Sequence, residues 1–270
     1  IAALEQALGL TLFEKRQAGY ALTPAGEQLL ADAERVEASA AGFAESAAAQ
    51  SRDLSGTVRI TSEEIYAACL VSPILRDLHD LHPEIVIELD TAQAVRNLGS
   101  GEADIALRST TETKQPAGMV GRRLCIDDWT LYCSRDYADR HGVPRTRAEL
   151  AGHPLIGGGG DKVWRRYRAW LERHGLEGSV AIQHASVTGM LAGVRSGFGL
   201  AVLASFVADR DPGLVRCLPP VEGDPASLWL LTHERLRRTP RVRVVMDFLG
   251  DRLARLAREA PAEERQATGS

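Results

Sequence analysis

No apolar run in these 270 residues approaches the ~20 that a bilayer-spanning helix needs, so no membrane partner is expected. Nor does a charged-then-apolar leader open the chain, which makes the cytoplasm the expected compartment. A positive excess is also missing. The formal net charge of -4 excludes a uniformly basic nucleic-acid coat, although a small basic surface can ride on a larger acidic body. Cysteine is scarce: Cys69, Cys125, Cys133 and Cys217 form no CxxC pair and no zinc-ligand spacing. Cys125 and Cys133 flank an apolar segment, a spacing open to a redox pair, but buried small apolar residues on or beside strands is the simpler reading. His79 and His82 share a helical face without a third ligand, as at a solvated helix end. No Ser-His-Asp, paired-carboxylate or metal constellation stands out, so neither catalysis nor a cofactor or metal is expected.

What is present is an ordinary globular composition, 44% apolar and 25% charged, in a chain long enough for one to three domains. A short helix over residues 1–8 ends at Gly9. An apolar turn follows (Leu10, Leu12, Phe13), then a charged hairpin over 14–22, then a helix opening at Thr23-Pro24. Helix, tight hairpin and long helix is the order of a winged helix-turn-helix. A chain opening on Ile inside an amphipathic helix suggests that the start of this module lies upstream. From 24 to 50, Leu29, Val36 and Phe43 recur every seven residues, with Ala33 and Ala40 between them. This a/d seam, lined by small residues, fits close packing against a second copy of the helix; the rival is a single helix lying on its own domain.

Residues 51–56 (SRDLSG) read as a hinge. Beyond it, strand-like runs (57–61, 85–89, 104–107, 129–133, 155–156, 180–183, 200–203, 228–232) alternate with helical periods (65–81, 95–100, 163–174, 187–196, 241–258). That alternation predicts an α/β fold with mostly parallel strands. The tail from 258 to 270 has the composition of a disordered segment.

Together these residues resemble the LysR-type transcriptional regulators, over nearly the whole chain. The most specific part is the pattern carried by Leu4, Glu5, Leu8, Gly9, Leu12, Phe13, Gly19, Leu22, Thr23, Ala25 and Gly26. GTVRIT, HPEIVIEL, GEADIAL and AGVRSGFGLAVL are weaker echoes. The resemblance implies a partial winged helix-turn-helix DNA-binding domain (1–23), a dimerising linker helix (24–50) and a hinge (51–56). A two-lobed effector domain with Rossmann-like lobes, like periplasmic solute-binding proteins, would follow. Lobe I is expected over 57–134 and 228–257 and lobe II over 135–227, with crossings near 134–136 and 225–228. Promoter DNA, a small-molecule effector and a second copy of the chain are the implied partners. A homotetramer and contact with RNA polymerase extend that list. The family often places arginines around the wing's glycine; here Ala18 and Ala21 flank it, and the positive charge sits at Lys15 and Arg16.

Lys15 and Arg16 are therefore the candidate wing contacts to DNA, against the plainer reading of a solvated hairpin. Thr23 is a candidate phosphate contact or simply the helix cap. An effector is expected where strand ends and helix N-termini converge between the lobes, a setting that favours anions. Ser62, Glu63, Gln93 and Ser109 would line lobe I, and Gly158, Ser186, Val187 and Thr188 lobe II, unless they serve only as caps and turns. Arg108 is the candidate partner of an anionic effector, or half of an inter-lobe salt bridge. The Gly157–Gly160 run lacks the order of a phosphate loop and reads as a flexible loop at the cleft mouth. In KVWRRYRAW, Trp164, Tyr167 and Leu171 make a buried helix face more simply than a nucleic-acid surface. A ligand-responsive transcription factor is the leading function; a non-catalytic solute-binding protein of the same two-lobed fold is the alternative.

Overall fold

A computed structural model describes residues 1–16, 19–50, 54–91, 96–112, 114–158, 160–218 and 226–259. Helix α1 (Ala2–Leu8) closes on Gly9, whose φ of 66° is the left-handed cap that glycine favours. The Glu5 carboxylate accepts from the backbone N–H of Leu12 (2.7 Å) and Phe13 (3.1 Å). Those two bonds hold its pKa below the usual carboxylate range and pin the helix to the hairpin. Strands β1 (Phe13–Arg16) and β2 (Gly19–Leu22) pair antiparallel. Helix α2 (Pro24–Gln50) follows at once. The Thr23 hydroxyl caps it, accepting from Gly26 N–H (3.1 Å) and donating to the Thr11 carbonyl (2.7 Å). A Cβ on Gly26 would stand 2.4 Å from the Leu12 carbonyl oxygen, so only glycine lets this first turn lie on the hairpin root.

The first lobe begins with β3 (Gly56–Ser62), the short helix α3 (Glu64–Tyr66), a π-helical turn (Ala67–Val71) and α4 (Ser72–Leu81). Strands β4 (Ile85–Asp90), β5 (Ile105–Thr110) and β6 (Met119–Ile126) continue it. The second lobe holds β7 (Trp129–Ser134), α5 (Arg135–His141), β8 (Leu155–Gly158), α6 (Asp161–His174) and β9 (Val180–His184). It continues with α7 (Val187–Arg195), β10 (Leu200–Ala204), α8 (Ser205–Ala208) and β11 (Leu214–Arg216). Strand β12 (Ser227–His233) and helix α9 (Pro240–Arg258) return to the first lobe. The sheets run β4-β3-β5-β12-β6 and β11-β7-β10-β8-β9. Buried residues of both sheets and of α3, α4, α7 and α9 form one continuous apolar core. A smaller cluster of Leu98, Ala103, Ala106 and Leu231 fills the other face of the first sheet.

Four expectations change. Strand β7 pairs with β10 and β11, so residues 129–134 belong to the second lobe. The first crossing is therefore at Asp127–Asp128 rather than near 134–136, because the chain enters the second sheet directly as an antiparallel strand. The return crossing lies alongside, with Asp127 N–H donating to the Ala226 carbonyl at 2.8 Å. Secondly, the strands are mixed rather than mostly parallel. Four of the eight pairings in the two sheets are antiparallel, because β7 and β12 carry the chain across the lobes. Thirdly, the stretch 96–100 turns rather than coils into a helix. The Asn97 side chain accepts from Gly99 N–H (2.8 Å) and Ser100 Oγ donates to the Asn97 carbonyl (3.0 Å), capturing the backbone locally. Lastly, Gly157 and Gly158 belong to β8, not to a loop. Residues 51–53, Gly159, 219–225 and 260–270 lie outside the described residues, so the hinge, return crossing and tail are only partly covered. Tyr167 and Leu171 are buried, as the amphipathic reading of α6 requires; the Trp164 side chain is outside the description.

Candidate ligand cleft

The two sets of parallel strands aim their carboxyl ends at the crossing. In the first lobe, Thr110 at the end of β5 pairs with Ser227, just past the return crossing. In the second, Ala204 at the end of β10 pairs with Trp129, just past the outward crossing. Helices α3 and α7, which start near these ends, pack against each other. In open α/β sheets a ligand site lies where such strand ends and helix starts converge.

Asp127 is the polar centre of this region. It is fully buried, yet it holds groups from both lobes. Its carboxylate accepts from the Tyr66 hydroxyl of α3 and from the Phe206 N–H of α8, the latter at 3.0 Å. Burial pushes the Asp127 pKa above the ordinary carboxylate range, against the opposing pull of those two donors. Burial likewise drives the Tyr66 hydroxyl well above its ordinary value, with the negative charges of Asp127 and Glu63 adding to it. The Ser109 hydroxyl lies beside this pair without making a well-formed hydrogen bond of its own.

Lobe I thus brings Ser62, Glu63 and Ser109 to one place around Tyr66 and Asp127. Ser62 is buried at the end of β3, its hydroxyl donating to the Glu63 carbonyl at 3.2 Å. Arg108 is adjacent to Ser109 on β5, and strand alternation turns it to the opposite sheet face. Its guanidinium donates to the Arg96 carbonyl (2.6 Å), and desolvation lowers its pKa while Glu63 partly restores it. Gln93 lies outside the described residues.

Lobe II presents the start of α7. Ser186 caps that helix by accepting from Gly189 N–H at 3.2 Å; Val187 is buried, and the Thr188 hydroxyl is buried without a hydrogen-bond partner among the described residues. Gly158 sits beneath, with φ of 106° and no room for a side chain, because a Cβ would stand 1.9 Å from the His184 carbonyl oxygen. The need for glycine there comes from the close approach of β8 and β9. Tyr66, Asp127 and Phe206 were not among the sequence candidates. The available signal was the acidic pair Asp127-Asp128 breaking an apolar stretch, LCIDDWTLYC, which elsewhere marks a turn.

In the β1–β2 hairpin, Lys15 is exposed and pairs in register with Tyr20, while Arg16 pairs with Gly19 and its side chain is outside the description. The Thr23 hydroxyl is committed both as acceptor and as donor. On α2, Leu29 is half-buried, Ala33 and Ala40 are exposed, and Val36 (69%) and Phe43 (78%) are largely exposed. No described helix is long and apolar enough to cross a membrane, and the described residues contain no cluster suited to a metal ion.

Residues 51–254 match the family model of the LysR substrate binding domain. The HTH-type transcriptional regulator CrgA of Neisseria meningitidis (serogroup C, strain 8013) is 26% identical over 227 residues, spanning 80% of this chain and 72% of that protein. The solved structure of CrgA, a LysR-type transcriptional regulator from Neisseria meningitidis, superposes with a TM-score of 0.60 at 22% identity. It covers 94% of this chain and 87% of that one. The full-length Vibrio cholerae virulence activator AphB superposes with a TM-score of 0.57 at 20% identity, over 92% and 86% of the two chains. The chain belongs to the LysR family of transcriptional regulators, and the two-lobed body that houses the cleft is its LysR substrate binding domain.

Proposed function

We infer that the chain regulates transcription by binding a small molecule between its lobes and changing how paired DNA modules engage a promoter. The observation that carries this reading is the convergence of strand ends and the starts of α3 and α7 at the crossing, where the Thr188 hydroxyl of lobe II is buried without a hydrogen-bond partner among the described residues and the Ser109 hydroxyl of lobe I lies against Tyr66 and Asp127. A buried hydroxyl without a hydrogen bond costs about 1–3 kcal/mol, and a ligand carrying polar groups offsets that cost. Ser62, Glu63, Ser186 and Val187 complete the proposed lining, and the effector class that suits two hydroxyls and two helix starts is a small polar anion. Gln93 and Arg108 remain proposed contributors from the rim of lobe I, and Gly158 supports the lobe II floor.

The route from the cleft to DNA runs through α2. Its seam of Leu29, Ala33, Val36, Ala40 and Phe43 is proposed to bury itself against a second copy, pairing two wings. Lys15 and Arg16 would then face phosphates or the minor groove, while Thr23 serves mainly as the cap. Regulation requires the effector to favour one lobe or subunit arrangement over another, since equal affinity for both shifts nothing.

A thermal-shift screen of small carboxylates and amino acids tests the reading. A true effector should raise the Tm of the wild type, and Ser109→Ala with Thr188→Val should weaken its binding about tenfold or more. Unchanged binding by that double variant would remove the cleft assignment.

A further inference from the structure

A second site lies at the other pole of lobe I, and it does not depend on the cleft reading. Strand β12 runs from Ser227 beside the crossing to His233. Thr232 is therefore about 17 Å from the crossing at 3.4 Å per residue. There a groove of about 730 Å³ opens between β6, β12 and α9, lined by Val120, Val242 and Met246 along with Arg237, Arg238 and Arg243. Its volume falls within the range of small-molecule pockets.

The charges of this groove do not balance. Among the described residues Asp247 is its one acidic lining residue, and it lies 3.7 Å from Arg243, on the next turn of α9. Arg237 and Arg238 are exposed and have no acidic partner among the described residues. Helix α9 also starts here with no side-chain cap and no acid in its first turn. Arginines gathered at a helix start oppose the helix dipole, so the fold pays for this arrangement unless an anion joins it. The apolar residues beside the arginines meanwhile offer a dry surface for a nonpolar body. Polar and apolar lining alternate over one groove, a pattern suited to an amphipathic ligand rather than to a bare inorganic ion.

We propose that this groove binds an organic anion, its acidic head held by Arg237 and Arg238 and its nonpolar body laid on the half-buried Val120 and Met246. The location adjoins the start of β3. Arg241, in the first turn of α9, donates from Nε to the Thr57 carbonyl at 3.2 Å, where β3 receives the chain from the linker helix.

The test uses the full-length protein, titrated by calorimetry with octanoate, and with octanol and acetate as probes lacking the charge or the body. Backbone amide shifts read the location. Octanoate should bind saturably and move the amides of Val242, Arg243, Met246 and Asp247, with octanol and acetate at least tenfold weaker. Because both arginines are exposed, Arg237→Gln with Arg238→Gln should fold normally and weaken octanoate at least tenfold, whereas Ser109→Ala in the cleft should leave it unchanged. Failure of octanoate to saturate overturns the proposal. So does octanol binding as tightly, equal binding by the double arginine variant, or amide shifts confined to the cleft.

Discussion

Replacing Asp127 with alanine should uncouple the two lobes. In the folded chain its carboxylate takes the Tyr66 hydroxyl from α3 and the Phe206 N–H from α8, and the residue is wholly buried. Alanine leaves both donors in the interior, each costing about 1–3 kcal/mol. Relief from burying a carboxylate offsets part of this loss, because burial already disfavours the ionised form. A net destabilisation of about 3 kcal/mol follows, or a Tm lower by about 6–12 °C for a domain of this size. Tyr66→Phe removes one donor and should cost about 1–2 kcal/mol. The two changes should be less than additive, since they break one shared bond. Acidity supplies an independent arm. A carboxyl whose folded pKa is raised binds its proton more tightly when folded, so its contribution is greatest below the ordinary value of about 3.9. That contribution is lost as the pH rises through the raised folded pKa. Wild type should therefore gain stability relative to Asp127→Asn on acidification across this window. Urea denaturation followed by circular dichroism at several pH values reads both effects. A cost below 1 kcal/mol for Asp127→Ala, or a wild type-to-Asn difference independent of pH, would refute the reasoning.

Two glycine substitutions should separate fixed from yielding contacts. Gly158→Ala meets the His184 backbone at 1.9 Å and should destabilise by about 3 kcal/mol or more. For Gly250→Ala the three nearest atoms all belong to the Arg122 guanidinium, which can swing away from its exposed Asp251 partner. Relief of a mid-helix glycine, about 1 kcal/mol, should leave that variant as stable as wild type or slightly more so in the same denaturation assay. Val36→Asp with Phe43→Asp should yield monomers at micromolar concentration by sedimentation velocity, against a wild-type dimer; a dimeric double variant would dispose of the α2 seam. Lys15→Ala should lower the slope of log affinity against log salt by about 0.9 on promoter DNA if the wing makes one phosphate contact there. An unchanged slope would place Lys15 off the DNA.

Local chemistry was the legible part of this sequence. Gly9, Thr23 and Pro24 marked element ends because left-handed φ, a capping hydroxyl and a fixed φ are properties of single residues. Apolar runs likewise revealed eight of the ten strands in the two sheets, but not β6 or the three-residue β11. Strand β6 stayed hidden because Gly121, Arg122 and Arg123 interrupt its apolar pattern. It is an edge strand, and its glycine answers to a close approach of β12, since a Cβ would stand 2.1 Å from the Leu230 carbonyl oxygen. Sheet membership of β7 was equally hidden, since a strand's partners are a long-range property that its own residues do not state. The same holds for the cleft. Ser109 and Thr188 were readable as residues following strands, whereas Tyr66 and Asp127 meet only after 61 positions of intervening chain fold.

The central claim is that a ligand in the inter-lobe cleft changes promoter engagement, and footprinting on the native promoter tests it most directly. Full-length protein expressed from its own gene would be compared with and without the strongest thermal-shift ligand, in wild type and in Ser109→Ala with Thr188→Val. The wild-type footprint should change its length or its half-site spacing with ligand, while the double variant should keep the ligand-free pattern at the same ligand concentration. Identical wild-type footprints with and without a cleft-bound ligand would contradict the claim.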